Sequence, residues 1–449
     1  MTSGPAPPSA SQRREAVDVP VALLGYGTVG SAVNRLLDQN ADEIERASGH
    51  RLRVVRALVR DTGAERAYLP DASILTADFR DIAGDPGIRL VAEVMGGLEP
   101  AGTHVLELLR SGRSVVSANK QLVARRGGEL FAAASGTGVQ LRFEASVCAA
   151  IPVIKVLRES LSFSRVHRVL GIVNGTTNFI LTRMERGADY AEALAEAQRL
   201  GYAEADPTDD VSGADAAAKM AILATVAFGT RVTVDDVWHT GIEEIAPLHV
   251  RAARELEMAV RLVGAATMVD GRYDVRVQPA FVDRHHPLAA VEGPFNAVML
   301  QGDAIREITL EGPGAGGLET ASAVVSDMIS VIGTSGTGFL QNDACWRELE
   351  RLPHGDVVSP FYVHLEVDDR PGVLADVARR LAAHDVSVAR LVQHETGNGA
   401  AALHVVLHEC PSGALSDALV EIARLPGTRR RPTALPVISD RGVPGSDWT

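Results

Sequence analysis

The chain has 449 residues, 46% of them apolar, and a formal net charge of −13. A chain of that length buries two or three cores, and that charge argues against nucleic acid or an anionic membrane surface as its main partner. Cys148, Cys345 and Cys410 lie far apart with no CxxC pair, which suits a reduced, cytoplasmic chain and excludes a cysteine-based metal site.

Residues 1–18 are rich in Pro, Ser and Ala and lack an apolar signal-peptide core, so they read as a disordered lead-in. No apolar run reaches the roughly 20 residues that span a bilayer. Val19 to Leu24 reads as a strand, followed by Gly25-Tyr26-Gly27-Thr28-Val29-Gly30 and a helical pattern through Leu37. Further strands are expected at Leu52 to Val59, Leu90 to Val94, Ser114 to Ser117 and Val139 to Phe143, with helices at Ala101 to Ser111 and Gln121 to Ser135. This alternation predicts an α/β fold with a parallel, doubly wound sheet, a dinucleotide-binding domain over 19–150 with a return segment at about 312–345.

From 151 to 311 the pattern is mixed and predicts an α+β domain. Helices are expected at Tyr190 to Leu200, Ala214 to Phe228 and Ala253 to Val263. Strands are expected at Val166 to Val173, Tyr273 to Phe281, Ala297 to Gly302 and Ile305 to Leu310. After a linker at 346–358, residues 359–438 read strand (Phe361 to Val367), helix (Val373 to His384), strand (Val386 to Gln393), strand (Ala400 to Leu407), helix (Leu415 to Leu425) and strand (Ala434 to Ile438). That is the ferredoxin-like βαββαβ order, followed by a mobile tail at 439–449.

A GxGxxG run is a weak signal alone, but here it follows a strand and opens a helix. Its glycines permit a tight turn and let backbone N–H groups approach a pyrophosphate, as in a Rossmann-type domain. The second strand ends in Arg60-Asp61. Arg60 suits a 2′-phosphate and favours NADP, NAD remaining open; it reads equally as a solvated strand-end charge.

Only Lys120, Lys155 and Lys219 are lysines among forty-four basic residues, so each is a candidate for work a guanidinium cannot do. Gly201 to Asp215 holds five carboxylates, Glu204, Asp206, Asp209, Asp210 and Asp215, in what reads as a loop ending at a helix. Asp215 and Lys219 lie four apart on one helical face amid alanines, Met220, Ile222 and Leu223. A buried lysine needs a partner or loses its proton, and either state suits acid–base work. Upstream, Gly171-Ile172-Val173-Asn174-Gly175-Thr176-Thr177-Asn178 reads as a strand entering a turn rich in neutral hydrogen-bonding groups, suited to a small polar substrate or to turn chemistry alone.

GYGTVG, SANK, EASVCAAIPVIK, GIVNGTTNFIL, GYAEADPTDDVSGADAAAKMAILA and GPGAGGLETASAVVSD follow in order, and together they resemble homoserine dehydrogenase from Val19 to Ile332. The Phe361 to Pro426 unit resembles the ACT regulatory domain. The resemblance implies reversible interconversion of L-homoserine and L-aspartate 4-semialdehyde with NAD(P), on the threonine, methionine and isoleucine route. It implies that Lys219 is the acid/base lysine, oriented by Asp215, with Lys120 a second lysine beside substrate and nicotinamide. Glu204 is implied to hold the substrate amino group, with Asp210, Gly175, Thr176 and Tyr202 completing the pocket. Gly25, Gly27, Thr28, Val29, Gly30, Arg60, Gly96, Ser117, Lys120 and Gly316 are implied in cofactor binding. A monovalent cation such as Na+ is implied on Glu144 and the carbonyls of Val147, Ala149 and Ile151. A homodimer or homotetramer is implied as well.

Two departures from the family pattern stand out. Cys148-Ala149-Ala150 replaces a small Ala-Gly-Gly run, and Glu319 stands where Pro is usual, near the start of a helix expected at Thr320 to Ile332. Gly372, in the turn Asp369-Arg370-Pro371-Gly372, lets the chain bend and expose N–H groups suited to an amino-acid carboxylate; the resemblance to the ACT domain implies threonine as the leading effector, with a ligand-free structural module the other reading. Two further readings of the whole chain are another small-aldehyde dehydrogenase and a catalytically silent amino-acid sensor. The second should have lost Lys219, Lys120 or Asp215.

Overall fold

The structure is a computed structural model that describes residues 17–333, 349–397 and 399–438. Residues 1–16 of the expected lead-in, 334–345 of the return segment, 346–348 of the linker and the 439–449 tail lie outside the described residues. Two compact units divide the chain. The first runs to Ala150 and takes up the chain again from Gly316; the second comprises Ile151–Ala315 and the C-terminal part.

The first unit is built on a parallel sheet of β1 (Val17–Leu24), β2 (His50–Leu58), β3 (Leu75–Thr76), β4 (Leu90–Glu93), β5 (Ser114–Ser117) and β6 (Leu141–Arg142), in the order β3-β2-β1-β4-β5-β6. β1 begins two residues earlier than expected, because Val17 and Asp18 pair with His50 and Arg51; those two positions are strand, not lead-in. β4 and β5 are buried along nearly their whole length, with apolar residues at Leu90 to Ala92 and at Val115 and Val116, as suits strands covered on both faces. The helices Thr28–Gln39 and Gly317–Gly333 pack against them through Val33, Leu37, Ala321, Val324 and Met328.

The second unit holds, among the described residues, an eleven-stranded mixed sheet. Its strands are β7 (Val166–Ile172), β8 (Trp238–His239), β9 (Met258–Val269), β10 (Arg272–Asp283), β11 (Phe295–Gly302), β12 (Ile305–Pro313), β13 (Glu350–Arg351), β15 (Phe361–Asp368), β16 (Val388–Gly397), β17 (Ala400–Leu407) and β19 (Thr433–Ile438); β14 (Val358–Ser359) and β18 (Cys410–Pro411) form a separate pair. The main path runs β12-β11-β7-β9-β10-β19-β15-β17-β16. The ferredoxin-like part, β19-β15-β17-β16, is antiparallel, and the helices Val373–Ala383 and Ser412–Ile422 close its core through Val377, Leu381, Leu415 and Ala418. β19 also pairs with β10, Phe281 with Val437 and Val282 with Ile438, so the sheet continues from one part into the other.

Three sequence expectations are corrected. Ala253 to Val263 is not one helix. A helix Pro247–Glu255, opened by proline at its first position, ends before Glu257, which takes a left-handed φ of 59°; β9 then starts at Met258. The Ala- and Leu-rich composition favoured helix, but pairing of β9 with both β7 and β10 overrides that preference. The Gly175–Thr177 segment is not a turn but the first turn of a helix, Gly175–Glu185, capped by the Asn174 side chain accepting from Thr177 N at 2.8 Å. Thr208–Val211 forms a one-turn helix inside the acidic loop.

Candidate active site

The glycine-rich turn meets the steric demands of its motif. Gly25 has a φ of 101°, and a Cβ there would lie 2.9 Å from Val94 O; a Cβ on Gly30 would collide with Gly25 O, so helix and turn pack only with glycine. A Cβ on Gly27 would meet nothing within 4 Å, which leaves room for a phosphate against the N-terminus of the helix starting at Thr28 and Val29. Arg60 is exposed just beyond β2. Nearby, Arg66 ties the loop to the turn, donating to Tyr26 O at 3.0 Å and Asp61 O at 2.5 Å. A cavity of about 440 Å³ is lined by Gly27, Thr28, Arg35, Arg66 and Gly317. Gly316 has a φ of 141°, and the Glu319 carboxylate folds back against it in the first turn of the following helix, where the dipole favours an acid.

A residue without a sequence signal organises the other side of this unit. Glu93, at the end of β4, is fully buried and accepts from Ser117 Oγ at 2.7 Å, Met95 N at 2.9 Å, Gly96 N at 3.3 Å and Asn119 Nδ2 at 3.4 Å. Burial pushes its carboxyl up from the ordinary range, and these hydrogen bonds oppose that shift. Lys120 opens the helix Lys120–Thr137, which Asn119 caps by accepting from Leu122 N at 3.1 Å.

In the second unit the helix Ala214–Phe228 lies between left-handed glycines, Gly213 and Gly229, and buries nearly its whole surface. Lys219 is only 9% exposed. Its Nζ donates to Val173 O at 2.7 Å and pairs with Asp215 Oδ2 at 2.8 Å. The Asn174 amide donates to Asp215 Oδ2 at 2.8 Å and to Asp210 Oδ1 at 2.7 Å, so one residue ties both carboxylates. Burial raises the Asp210 carboxyl above its usual range, the Asn174 bond opposes this, and the Asp215 charge adds to it. Thr176 Oγ1 donates to Tyr202 O at 2.6 Å, and the Tyr202 ring packs 5.0 Å from Phe179. A Cβ on Gly175 would lie 2.6 Å from Pro294 O, so only glycine fits there.

The geometry therefore gathers Lys219, Asp215, Asp210, Asn174 and Thr176, with Tyr202 at their edge. It does not gather the whole acidic loop: Glu204, Asp206 and Asp209 are exposed, and Asp206 caps its own turn through Thr208 N at 3.1 Å. Asn174 was visible in the sequence only as a turn residue; its link between the two aspartates depends on contacts 36 and 41 residues away. Glu144 is buried, its backbone N donating to Asp327 Oδ2 at 2.9 Å; Val147 and Ile151 are also buried. Cys148 and Ala149 take left-handed φ values of 55° and 40°, so the turn that glycine usually makes persists without glycine. Among the described residues no group of three His, Cys, Asp or Glu side chains is placed to hold a metal ion.

Residues 152–329 match the family described as homoserine dehydrogenase, 25–144 its NAD-binding domain, and 362–427 the ACT domain. A curated homoserine dehydrogenase from Mycobacterium tuberculosis is 42% identical over 89% of this chain and 93% of its own length. The chain belongs to the homoserine dehydrogenase family. It is an NAD(P)-dependent oxidoreductase that interconverts L-homoserine and L-aspartate 4-semialdehyde, and the reading as another small-aldehyde dehydrogenase gives way. A solved homoserine dehydrogenase from Thiobacillus denitrificans superposes with a TM-score of 0.88 at 36% identity, covering 95% of this chain and all of that one. A hyperthermophilic archaeal homoserine dehydrogenase solved in complex with NADPH matches with a TM-score of 0.61 at 28% identity, over 72% of this chain and all of that one. No described helix is long and apolar enough to cross a membrane.

Proposed function

We propose that Lys219 is the acid/base lysine of this homoserine dehydrogenase and that Asp215 orients it. The observation that carries this is the buried Lys219–Asp215 pair, 2.8 Å apart and anchored to Val173 O. An alcohol does not ionise at neutral pH, so a held ammonium that meets the substrate oxygen steadies the developing charge and relays its proton; such help is typically worth about 10²- to 10⁴-fold. Asp210, Gly175, Thr176, Tyr202 and Glu204 line the substrate pocket, the exposed Glu204 being suited to a substrate ammonium.

The glycine-rich turn, Thr28, Val29, Gly96, Ser117, Lys120 and Gly316 hold the nicotinamide cofactor, whose chemistry is to take and return a hydride. The open space at Gly27 supports the fit. Exposed Arg60 favours NADPH over NADH, and the NADPH in complex with the solved archaeal relative agrees with that preference. Glu144 and the carbonyls of Val147, Ala149 and Ile151 hold a monovalent cation, a reading supported by the persistent left-handed turn. The ACT part binds threonine as feedback inhibitor at the Gly372 turn, where φ is 93°. The enzyme works in the cytoplasm as a homodimer or homotetramer. Following NADPH and NADH oxidation with aspartate semialdehyde, with and without threonine, tests these points together. Equal rates with both cofactors refute the Arg60 reading; no change of rate with threonine refutes the effector.

A further inference from the structure

We infer that Glu93 is a positioning residue for the cofactor site, holding Lys120 and the Gly96–Gly97 turn in one fixed arrangement. The two loops that follow β4 and β5 converge on its carboxylate. One oxygen accepts from Ser117 Oγ, and the other accepts the N–H groups of Met95 and Gly96 and the Asn119 amide. Asn119 closes the ring: Nδ2 also donates to Gly97 O at 2.6 Å, while Oδ1 caps the helix that Lys120 opens. Backbone bonds add to the tie, Ala118 N donating to Glu93 O at 3.0 Å.

All these donors are neutral, and at least one is needed on each oxygen. A glutamine here keeps an oxygen for the Met95 and Gly96 N–H groups, but its amide must donate to Ser117 Oγ, which turns the serine from donor to acceptor, and the carboxylate charge that strengthens every bond of the cluster is lost. Gly96 and Gly97 both take left-handed φ values, 73° and 72°, and a Cβ on either meets nothing within 4 Å. Their side of the turn is thus open, and the carboxylate beneath fixes where it lies. Glu93 has no exposed surface and both its carboxylate oxygens are taken up by these donors, so it acts through Lys120 and Gly96 rather than by touching reactants.

This inference rests on the reading that Gly96, Ser117 and Lys120 serve the cofactor. Glu93→Gln, Asn119→Ala and Lys120→Ala are compared with the wild-type enzyme for thermal unfolding, NADPH binding by fluorescence, and kcat and KM for both substrates. Glu93→Gln is expected to weaken NADPH binding about tenfold and to lower kcat by about 10²-fold, the scale of a misplaced group, with KM for aspartate semialdehyde unchanged. Asn119→Ala, which cuts the link but leaves the carboxylate, is expected to show the same split to a smaller degree, and it carries the test should Glu93→Gln not fold. A lower unfolding temperature with unchanged kcat and NADPH affinity in the folded variants overturns the inference and leaves Glu93 purely structural. A damaged Lys120→Ala beside an intact Glu93→Gln overturns the inference alone. An intact Lys120→Ala overturns the cofactor-end reading and the inference with it.

Discussion

Glu93 and Asp215 are both buried carboxylates at the edge of a regular element, and they show two uses of the same group. Glu93 gathers neutral donors from two loops and has the task of holding a shape. Asp215 shares its oxygen between an amide and the Lys219 ammonium, so its charge is matched by a group that carries a proton. A carboxylate surrounded by fixed neutral donors orders backbone; one paired with lysine orders chemistry.

Breaking the charged member of this comparison is expected to cost most. Lys219→Ala should lose at least about 10²- to 10⁴-fold in turnover, read as kcat with aspartate semialdehyde and NADPH. Asp215→Ala leaves a buried ammonium without its counter-charge, and unfolding should show a loss of about 3–5 kcal/mol along with lost turnover. A variant of Asp215 that unfolds like wild type would place the lysine's support elsewhere.

Arg60→Ala sharpens the nucleotide side. It should raise KM for NADPH by about 10-fold or more, the worth of a charged hydrogen bond, and leave KM for NADH nearly unchanged. Parallel changes in both would make Arg60 a solvated strand-end charge.

A smaller effect concerns the junction where the sheet continues through β10 and β19. His249 and His404 are buried, and burial lowers both to about 4, the nearby His364 adding to the effect on each. Tyr362 hydroxyl lies 2.8 Å from His404 Nδ1, and Glu255 faces the cluster while pairing with His394 at 2.9 Å. The unfolded chain takes up protons near the ordinary histidine value of about 6.5, where the folded one does not. Stability from these groups is therefore fully present above about pH 6.5 and lost as pH falls toward 4. The unfolding temperature should drop over that window, and a His249→Phe, His404→Phe double variant should flatten the drop.

Much of the fold was legible because local signals agreed with the tertiary answer. Ala214–Phe228 is a mostly apolar run between glycines, interrupted by Asp215, Lys219 and Thr225, and β5 is a four-residue strand, Ser-Val-Val-Ser, whose limits the sequence marks. β9 was not legible, since its alanines, methionines and Leu262 suit a helix until strands lie on both sides. At the site, the Asp215–Lys219 pair follows from a spacing of four. The Glu93 cluster does not, because its meaning lies in partners 24 and 26 residues away, and Glu93 alone looks like an ordinary acid after a strand. Asn174 escaped for the same reason.

The central claim is that the ammonium of Lys219 moves a proton at the substrate oxygen, and replacing it with a permanently charged group of similar reach tests that most directly. Turnover of the folded Lys219→Arg enzyme with aspartate semialdehyde and NADPH should fall by at least about 10²-fold, because a guanidinium keeps the charge but does not give up its proton. Turnover close to wild type would show that charge alone suffices at this position and would contradict the account.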